Sequence, residues 1–388
     1  MALLHAKKKS KGNHASASRG FGAATVSTAK NKNIMIPTDK SKLARDFYAY
    51  LEETQGVTLL SLTRLGFFDS LRGVVALQDV PKGKDLISIP SNVAVNLGGQ
   101  GVDPVQAGVN LVQAYRAAVN EPKRIVFDVL PPLNSTDCLG STDFYSDEAL
   151  QALQSPTIVE ETLARRERVR QRTEQQQQQQ DDDDDSDEPE LQWIDGTPLT
   201  FQQLQWATWI VTSRVLTVQS SSSSSSSNDS DSDQEQSSSS FRLYIPYLDM
   251  ANHDRNSPHV LTGRVGGDLK LTAAKMVKAG EQVCYTYGGG MAGNDRIIQD
   301  YGFVDTHDEA FDLTAQQIMG KRRLTEGTRA GLLFSIADRQ RTLEALGQTS
   351  IVQDEALLEQ ETDFQVKMAI QYRLGVKKAL ARMGEGGF

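Results

Sequence analysis

The first helical rhythm along the chain is Leu43, Phe47 and Leu51, which follows Thr38 and Asp39 as N-cap candidates. Short apolar runs suited to strands come next, at 57–62, 74–77 and 86–89, the last two separated by the turn residues Pro81-Lys82-Gly83. Residues 103–119 and 143–172 return to helical spacing, and the second stretch carries Ser146-Asp147-Glu148 near its start, an N-terminal signal. Residues 201–218 hold Leu204, Ala207, Trp209, Val211 and Val215 and predict a buried helix. Beyond them the texture is β, over 241–246, 260–264, 269–273 and 281–287, with turns at Gly266-Gly267 and Lys278-Ala279-Gly280. A short helix is predicted over 294–300, and from Ile318 the pattern is helical with Gly320, Gly327 and Gly347 as breaks. Strands that flank a helical middle, closed by a helical tail, predict an α+β protein and not an alternating βαβ one.

Composition adds boundaries to this pattern. The 388 residues suffice for two or three compact units, but polar tracts dilute them. Residues 1–38 are rich in Lys, Ala, Ser and Gly, with seven basic residues and no acid, and are expected to be disordered. The Gln run 175–180, the Asp run 181–185 and the Ser run 220–227 cannot bury enough apolar surface to order themselves, so surface insertions are expected there. The net charge of −9 is local: nine acids fall within 174–190 and four more within 229–235, against the basic leader. The remaining body is close to neutral, so no basic face for nucleic acid is expected. No apolar run approaches the ~18 residues of a membrane span. Cys138 and Cys284 are the only cysteines, too few for a four-cysteine zinc site or a disulfide framework, and they fit a reducing compartment.

Two stretches carry candidate chemistry. Gly288-Gly289-Gly290-Met291-Ala292-Gly293 fits G-x-G-x-x-G and follows a strand. The helix after it is too short for a βαβ crossover, and no strand ending in an acid lies at the right distance, so a connector is the plainer account. The second stretch is Asp249-Met250-Ala251-Asn252-His253, coupled thirty residues on to Val283-Cys284-Tyr285-Thr286-Tyr287-Gly288, then to Tyr301-Gly302-Phe303. Tyr285 and Tyr287 lie two apart, so on one strand they face the same side. Aromatic packing accounts for any one of these tyrosines alone, and a satisfied core histidine accounts for His253 alone. One histidine without a second ligand at metal spacing is a poor metal site.

Taken in order, these residues resemble the SET-domain protein methyltransferases. Within them they are similar to the zinc-free subgroup that includes the Rubisco large-subunit lysine methyltransferase and the actin-histidine methyltransferase. Ser70-Leu71-Arg72-Gly73 with Asp79-Val80-Pro81-Lys82-Gly83 resembles the first SET motif; Trp206-Ala207 with Ser213-Arg214 resembles the last helix of the inserted region. Residues 249–253 resemble the Asn-His motif, residues 280–288 with Tyr301-Gly302-Phe303 the catalytic strand and its sequel, and residues 372–378 a helix of the substrate-binding domain. One departure is Leu71, where the usual loop has its first glycine.

The resemblance implies a SET (β-clip) domain over 39–306, with a helical insertion at about 100–240 that contains the low-complexity tracts 174–190 and 219–240. A small helical C-terminal unit over 307–388 would help bind substrate. It implies S-adenosylmethionine as methyl donor, no metal, and a protein substrate whose lysine is methylated; the missing zinc modules favour a non-histone substrate. Tyr287 and Tyr301 would be the catalytic pair. Ser70, Leu71, Arg72, Arg214, Asn252, His253 and Phe303 would hold the cofactor, and Arg214, Asp249, Tyr287 and Tyr301 the substrate. A histidine methyltransferase of the same subgroup and an inactive binding module are the alternatives. A monomer in cytoplasm or nucleus is expected, with a plastid as a further compartment.

Overall fold

The computed structural model describes residues 36–384 except 55, 56, 58, 70, 182–190, 221–239, 323 and 325–330, so the leader, Ser70, most of the Asp run and most of the Ser tract lie outside the described residues. Helix α1 (Lys42–Ala49) is capped by Ser41, whose side chain accepts from the Ala44 amide, and not by Thr38 or Asp39 as expected. Thr38 instead bridges to Gly66, next to the first hairpin. That hairpin joins β1 (Thr63–Phe68) to β2 (Leu71–Ala76), with Asp69 in the left-handed region at its tip. The strand expected over 57–62 is a short 3-10 turn at Leu59–Ser61, which buries Val57 and Leu60 on one side and leaves the extended backbone to begin at Thr63.

Strands β3 (Asp85–Pro90) and β4 (Val95–Gly99) follow. The helical insertion holds α2 (Pro104–Ala117), α3 (Ile125–Asp128), α4 (Asp147–Ala152), α5 (Pro156–Asp181) and α6 (Phe201–Arg214). The single helix expected over 143–172 is therefore two. Gln154 takes a positive φ, and Pro156, which lacks an amide donor, opens the second helix. That second helix also runs on through Gln175–Gln180, so the Gln run is helical and not an irregular insertion. Glutamine loses little rotamer freedom in a helix, and a preformed helix extends through it at low cost.

Helix α6 carries a Thr200–Gln203 capping box and is buried along almost its whole length. It stops at Arg214 instead of Val218, because the β-branched Val215, Thr217 and Val218 continue as β5 (Val215–Gln219), paired with β6 (Ser240–Tyr244). The remaining strands are β7 (Asn252–His253), β8 (Val260–Thr262), β9 (Asp268–Thr272) and β10 (Gln282–Tyr285). Among the described residues they form three small sheets, ordered β1-β2-β10-β7, β3-β9-β8 and β4-β6-β5. In the first sheet β10 pairs antiparallel with β2 (Val283 opposite Val74) and parallel with β7, setting Cys284 opposite Asn252 and Tyr285 opposite His253.

The C-terminal part is helical: α7 (Asn294–Arg296), α8 (Asp308–Ile318), α9 (Ile336–Leu346), α10 (Ile351–Gln360) and α11 (Phe364–Arg382). Helicity begins at Asp308, ten residues before the expected start at Ile318, where α8 in fact ends. One apolar core fills the space between the sheets and α1, α2 and α6; a second is drawn from α4, α5, α8 and α11. Inside the second, Asp354 accepts from Arg373 (2.7 Å) and Lys377 (2.6 Å), all three buried. Burial alone would raise the Asp354 carboxyl, but its hydrogen bonds to Arg373 and Lys377 hold it below the ordinary range.

One backbone crossing joins the insertion to the C-terminal part. A Cβ added at Gly140 would lie 1.9 Å from the Gly302 carbonyl oxygen, and Gly302 itself has φ +80°. No side chain fits between these strands of backbone. Gly140→Ala should therefore lose roughly 2–3 kcal/mol of stability. Urea unfolding measures it, and a loss under about 0.5 kcal/mol, the scatter of neutral surface changes, would show that the crossing can open without cost.

Candidate active site

Two cavities adjoin the first sheet, one at Phe67, Leu71 and Arg72, the other at Tyr285. The larger, about 860 Å³, is lined by Leu71, Arg72, Trp206, Arg214 and Met250, together with Asp39. Arg72 is tied down by its Nη1 donating to the Val129 carbonyl at 3.0 Å and by Nη2 lying 3.4 Å from Asp39. Its own carbonyl accepts from Asn252 Nδ2 at 2.9 Å. The neighbouring Gly73 gives Asn252 this room, since a Cβ there would sit 2.7 Å from that nitrogen. At the end of α6, Arg214 donates to Asp249 Oδ2 at 2.9 Å and reaches Met250 Sδ at 3.6 Å. Burial raises the Asp249 carboxyl against the pull of Arg214. Two buried polar atoms here have no protein partner: Nε of Arg72, in the lining, and Oδ1 of Asp249, on the carboxylate that Arg214 binds.

The smaller cavity, about 550 Å³, is lined by Tyr285, Tyr287, Tyr301 and residues of β5 and β8. Tyr287 follows the end of β10 instead of lying on it, yet its ring centroid stays 5.0 Å from Tyr285 and 4.7 Å from Tyr301. Its hydroxyl donates to the Ala251 carbonyl at 3.0 Å, and burial holds the phenol far above its ordinary pKa, so it stays protonated. Ala251 adjoins Met250, which lines the larger cavity, so Tyr287, in the lining of the smaller, is one hydrogen bond and one peptide link away from it. The glycine run 288–290 is a left-handed turn, and Arg255 pins it by donating to the Gly290 and Ala292 carbonyls at 3.0 and 2.8 Å.

His253 is enclosed in this arrangement. Its Nδ1 accepts the Tyr287 amide at 2.9 Å, which places the ring proton on Nε2, 3.2 Å from Asp305 Oδ2. Phe303 packs on the same ring at 5.6 Å. Asp305, fully buried, also accepts from Arg255 Nε, from the His307 amide at 3.1 Å and from His307 Nδ1 at 2.7 Å. Burial would raise its carboxyl, yet the hydrogen bonds from His253, Arg255 and His307 outweigh it and leave the pKa well below the ordinary value.

Tyr301 is held from the opposite side. It ends a widened turn, Ile297–Tyr301, whose Asp300 pairs with buried Arg165 at 3.0 Å and whose Gln299 carbonyl accepts from Ser141 Oγ at 2.8 Å.

The fold thus gathers Leu71, Arg72 and Arg214 on the larger cavity and Tyr287 and Tyr301 on the smaller, with Asp249 bound to Arg214. Asn252, His253 and Phe303 are buried between them and line neither, and Ser70 lies outside the described residues. Sequence reasoning missed Asp39, read as a cap, and singled out neither Arg255 nor Asp305. A polar residue has no periodic signature, and these act across distances of 33 and 50 residues in the chain.

No family model matches the chain. Among curated proteins it is 21% identical over 320 residues to the chloroplastic ribulose-1,5 bisphosphate carboxylase/oxygenase large subunit N-methyltransferase of Pisum sativum, across 77% of this chain. The chain spans 58% of that relative's length. Among solved structures it is similar to the SET domain of LSMT bound to lysine and AdoHcy (TM-score 0.57, 19% identity, 89% of this chain and 90% of that one). A second, Rubisco LSMT bound to AdoMet, gives a TM-score of 0.59 at 19% identity over 88% and 91%. The chain therefore has the SET fold, an α+β domain with a large helical insertion and C-terminal helices, and resembles Rubisco LSMT.

Asp305→Asn should cost about 3–5 kcal/mol at pH 7, because Arg255 then lacks its buried counter-charge. The carboxyl's folded-state pKa lies below the ordinary 3.8. Its stabilisation is accordingly full above about pH 4 and is lost as pH falls toward the folded value. Urea midpoints measured from pH 5 downward should show a shallower acid limb in the variant. Parallel limbs would remove Asp305 from this role.

Proposed function

We propose that the chain is an S-adenosylmethionine-dependent protein-lysine N-methyltransferase that acts on a non-histone protein. The observation that carries it is Tyr287, buried in the lining of the tyrosine cavity, with its hydroxyl on the Ala251 carbonyl next to Met250 of the larger cavity that Arg72 and Arg214 also line. The larger cavity falls within the usual size of a cofactor site, about 300–1,000 Å³. The unpartnered Nε of Arg72 in its lining offers a donor to an amino-acid-like group, and the unpartnered Oδ1 of Asp249, bound to the lining residue Arg214, is an acceptor next to it, so the residues fit. We assign cofactor holding to Leu71, Arg72, Arg214 and the Asn252-His253 pair with Phe303, and extend it to Ser70. When bound, S-adenosylmethionine supplies a methyl group already activated by its sulfonium.

The protein's part is alignment and exclusion of water. An acceptor lysine with an ordinary pKa near ~10.4 must shed a proton before its nitrogen can attack. Enclosure among Tyr285, Tyr287 and Tyr301 disfavours the ammonium, and among the described residues no carboxylate lines that cavity to stabilise it. Tyr287 and Tyr301 are the catalytic pair in this reading, with Asp249 and Arg214 supporting them from behind. The division into a SET domain over 39–306 and a helical unit over 307–388 belongs to the same proposal, supported by the second apolar core, which also draws on α4 and α5. The chloroplastic relative lends weight to a plastid as the compartment.

The test is transfer of labelled methyl from S-adenosylmethionine into a total protein extract, followed by acid hydrolysis and amino-acid analysis. Label in methyl-lysine is expected; label in methyl-histidine, or none, would overturn the reading. Tyr287→Phe should keep cofactor affinity within a few-fold by calorimetry while turnover falls by about 10²-fold or more. Unchanged turnover would remove Tyr287 from catalysis.

A further inference from the structure

The tyrosine-lined cavity opens between two sheet edges, and the composition of that mouth differs from the chemistry behind it. Leu216 and Thr217 of β5 line one side and Val260 and Leu261 of β8 the other, with His259 and Ser257 at the base. Val260 is 50% exposed, a large apolar side chain left open beside a polar core. Among the described residues, none that lines the cavity carries a formal charge.

His259 keeps to this rule. Its Nδ1 accepts the Ala274 amide at 3.3 Å, which leaves its proton on Nε2. Burial, and then the nearby Lys275, lower its pKa, so the ring is neutral at pH 7. The charges around it, Asp254, Glu281 and Lys275, lie outside the lining.

We infer that this mouth is a specificity surface that selects a lysine flanked by apolar, uncharged residues in an extended segment of the substrate protein. The inference rests on the lysine reading above and narrows its substrate class. A basic tail would bring charges against a lining that offers no carboxylate, and an acidic segment would find no cation; either would lose water without gaining a partner. An apolar flank instead covers Val260, Leu216 and Leu261. The acceptor's backbone meets His259 Nε2 and Ser257, the polar groups at the base of the mouth. Val260 is a specificity residue here and not a catalytic one.

A peptide set tests this. Each member carries one central lysine, with the two positions on either side set to Leu/Val, Lys/Arg, Asp/Glu or Gly, and kcat/KM is read by labelled methyl transfer. Apolar flanks should exceed both charged sets by at least about tenfold, the usual scale for an apolar contact in a selective pocket. Val260→Glu, at an exposed position that tolerates the change, should turn the preference toward Lys/Arg flanks. A preference for charged flanks in the natural chain, or a preference that Val260→Glu leaves unmoved, overturns the inference while the lysine activity stands. No transfer to any peptide or to free lysine overturns the lysine reading itself.

Discussion

The surroundings of Tyr287 are referred to one buried carboxylate. Asp305 receives His253 of β7, Arg255 just beyond it, and His307 at the start of α8, while its backbone exchanges hydrogen bonds with the Asn294 side chain at 2.8 Å in both directions. Through His253 the restraint reaches the Tyr287 amide, and through Arg255 it reaches the glycine turn after Tyr287. A single charge thus sets the position of a strand, a turn and a helix that lie far apart in sequence. The arrangement holds because each acceptor site on the carboxylate is used. A buried carboxylate with one partner would protonate instead.

A second ionic cluster acts at the far end of the same segment. Arg165 of α5 binds Asp143 at 2.8 Å and Asp300 at 3.0 Å, and Arg296 binds Glu161 at 3.2 Å. Together with the Gly140–Gly302 contact, these fix the turn that presents Tyr301. Replacing such pairs with apolar side chains of equal volume could raise stability. What they supply is direction: an apolar core accepts several packings, whereas a guanidinium between two carboxylates accepts few. The tyrosine pair, 4.7 Å apart, depends on that geometry from both sides.

How far this could be read beforehand depends on what kind of signal each residue leaves. Periodic apolar residues announced α2, α6, β3, β6 and β9 to within a few positions, because burial of one face repeats. Boundaries failed where two rules met. Val215 is as apolar as the helix before it, and only pairing with β6 turns it into a strand; the Gln run is polar, and only attachment to α5 makes it helical. Strand β4, with one buried side chain between two glycines and an asparagine, left no pattern to find. In the site, Asn252, His253, Tyr287 and Tyr301 were legible as a set because their order matched a known arrangement. Asp305 and Arg255 were not, since an acid and a base fifty residues apart resemble any other surface pair until the fold buries them.

The two cavities obey different physics, and this separates what can vary from what cannot. The larger sets two arginines among apolar side chains, each bound to a buried carboxylate, Arg72 to Asp39 and Arg214 to Asp249, so removing either arginine leaves an uncompensated charge. On the side of Leu216 and Val260 the walls are neutral and partly open, and a substitution changes only what rests against them. Surface changes of that kind usually shift stability by under about 0.5 kcal/mol. Tyr287 lines the smaller cavity, with its hydroxyl turned to the Ala251 carbonyl and its ring to Tyr301. Changes in β5 and β8 therefore alter the neutral wall, while Asp305 continues to hold His253 and the turn after Tyr287 in place.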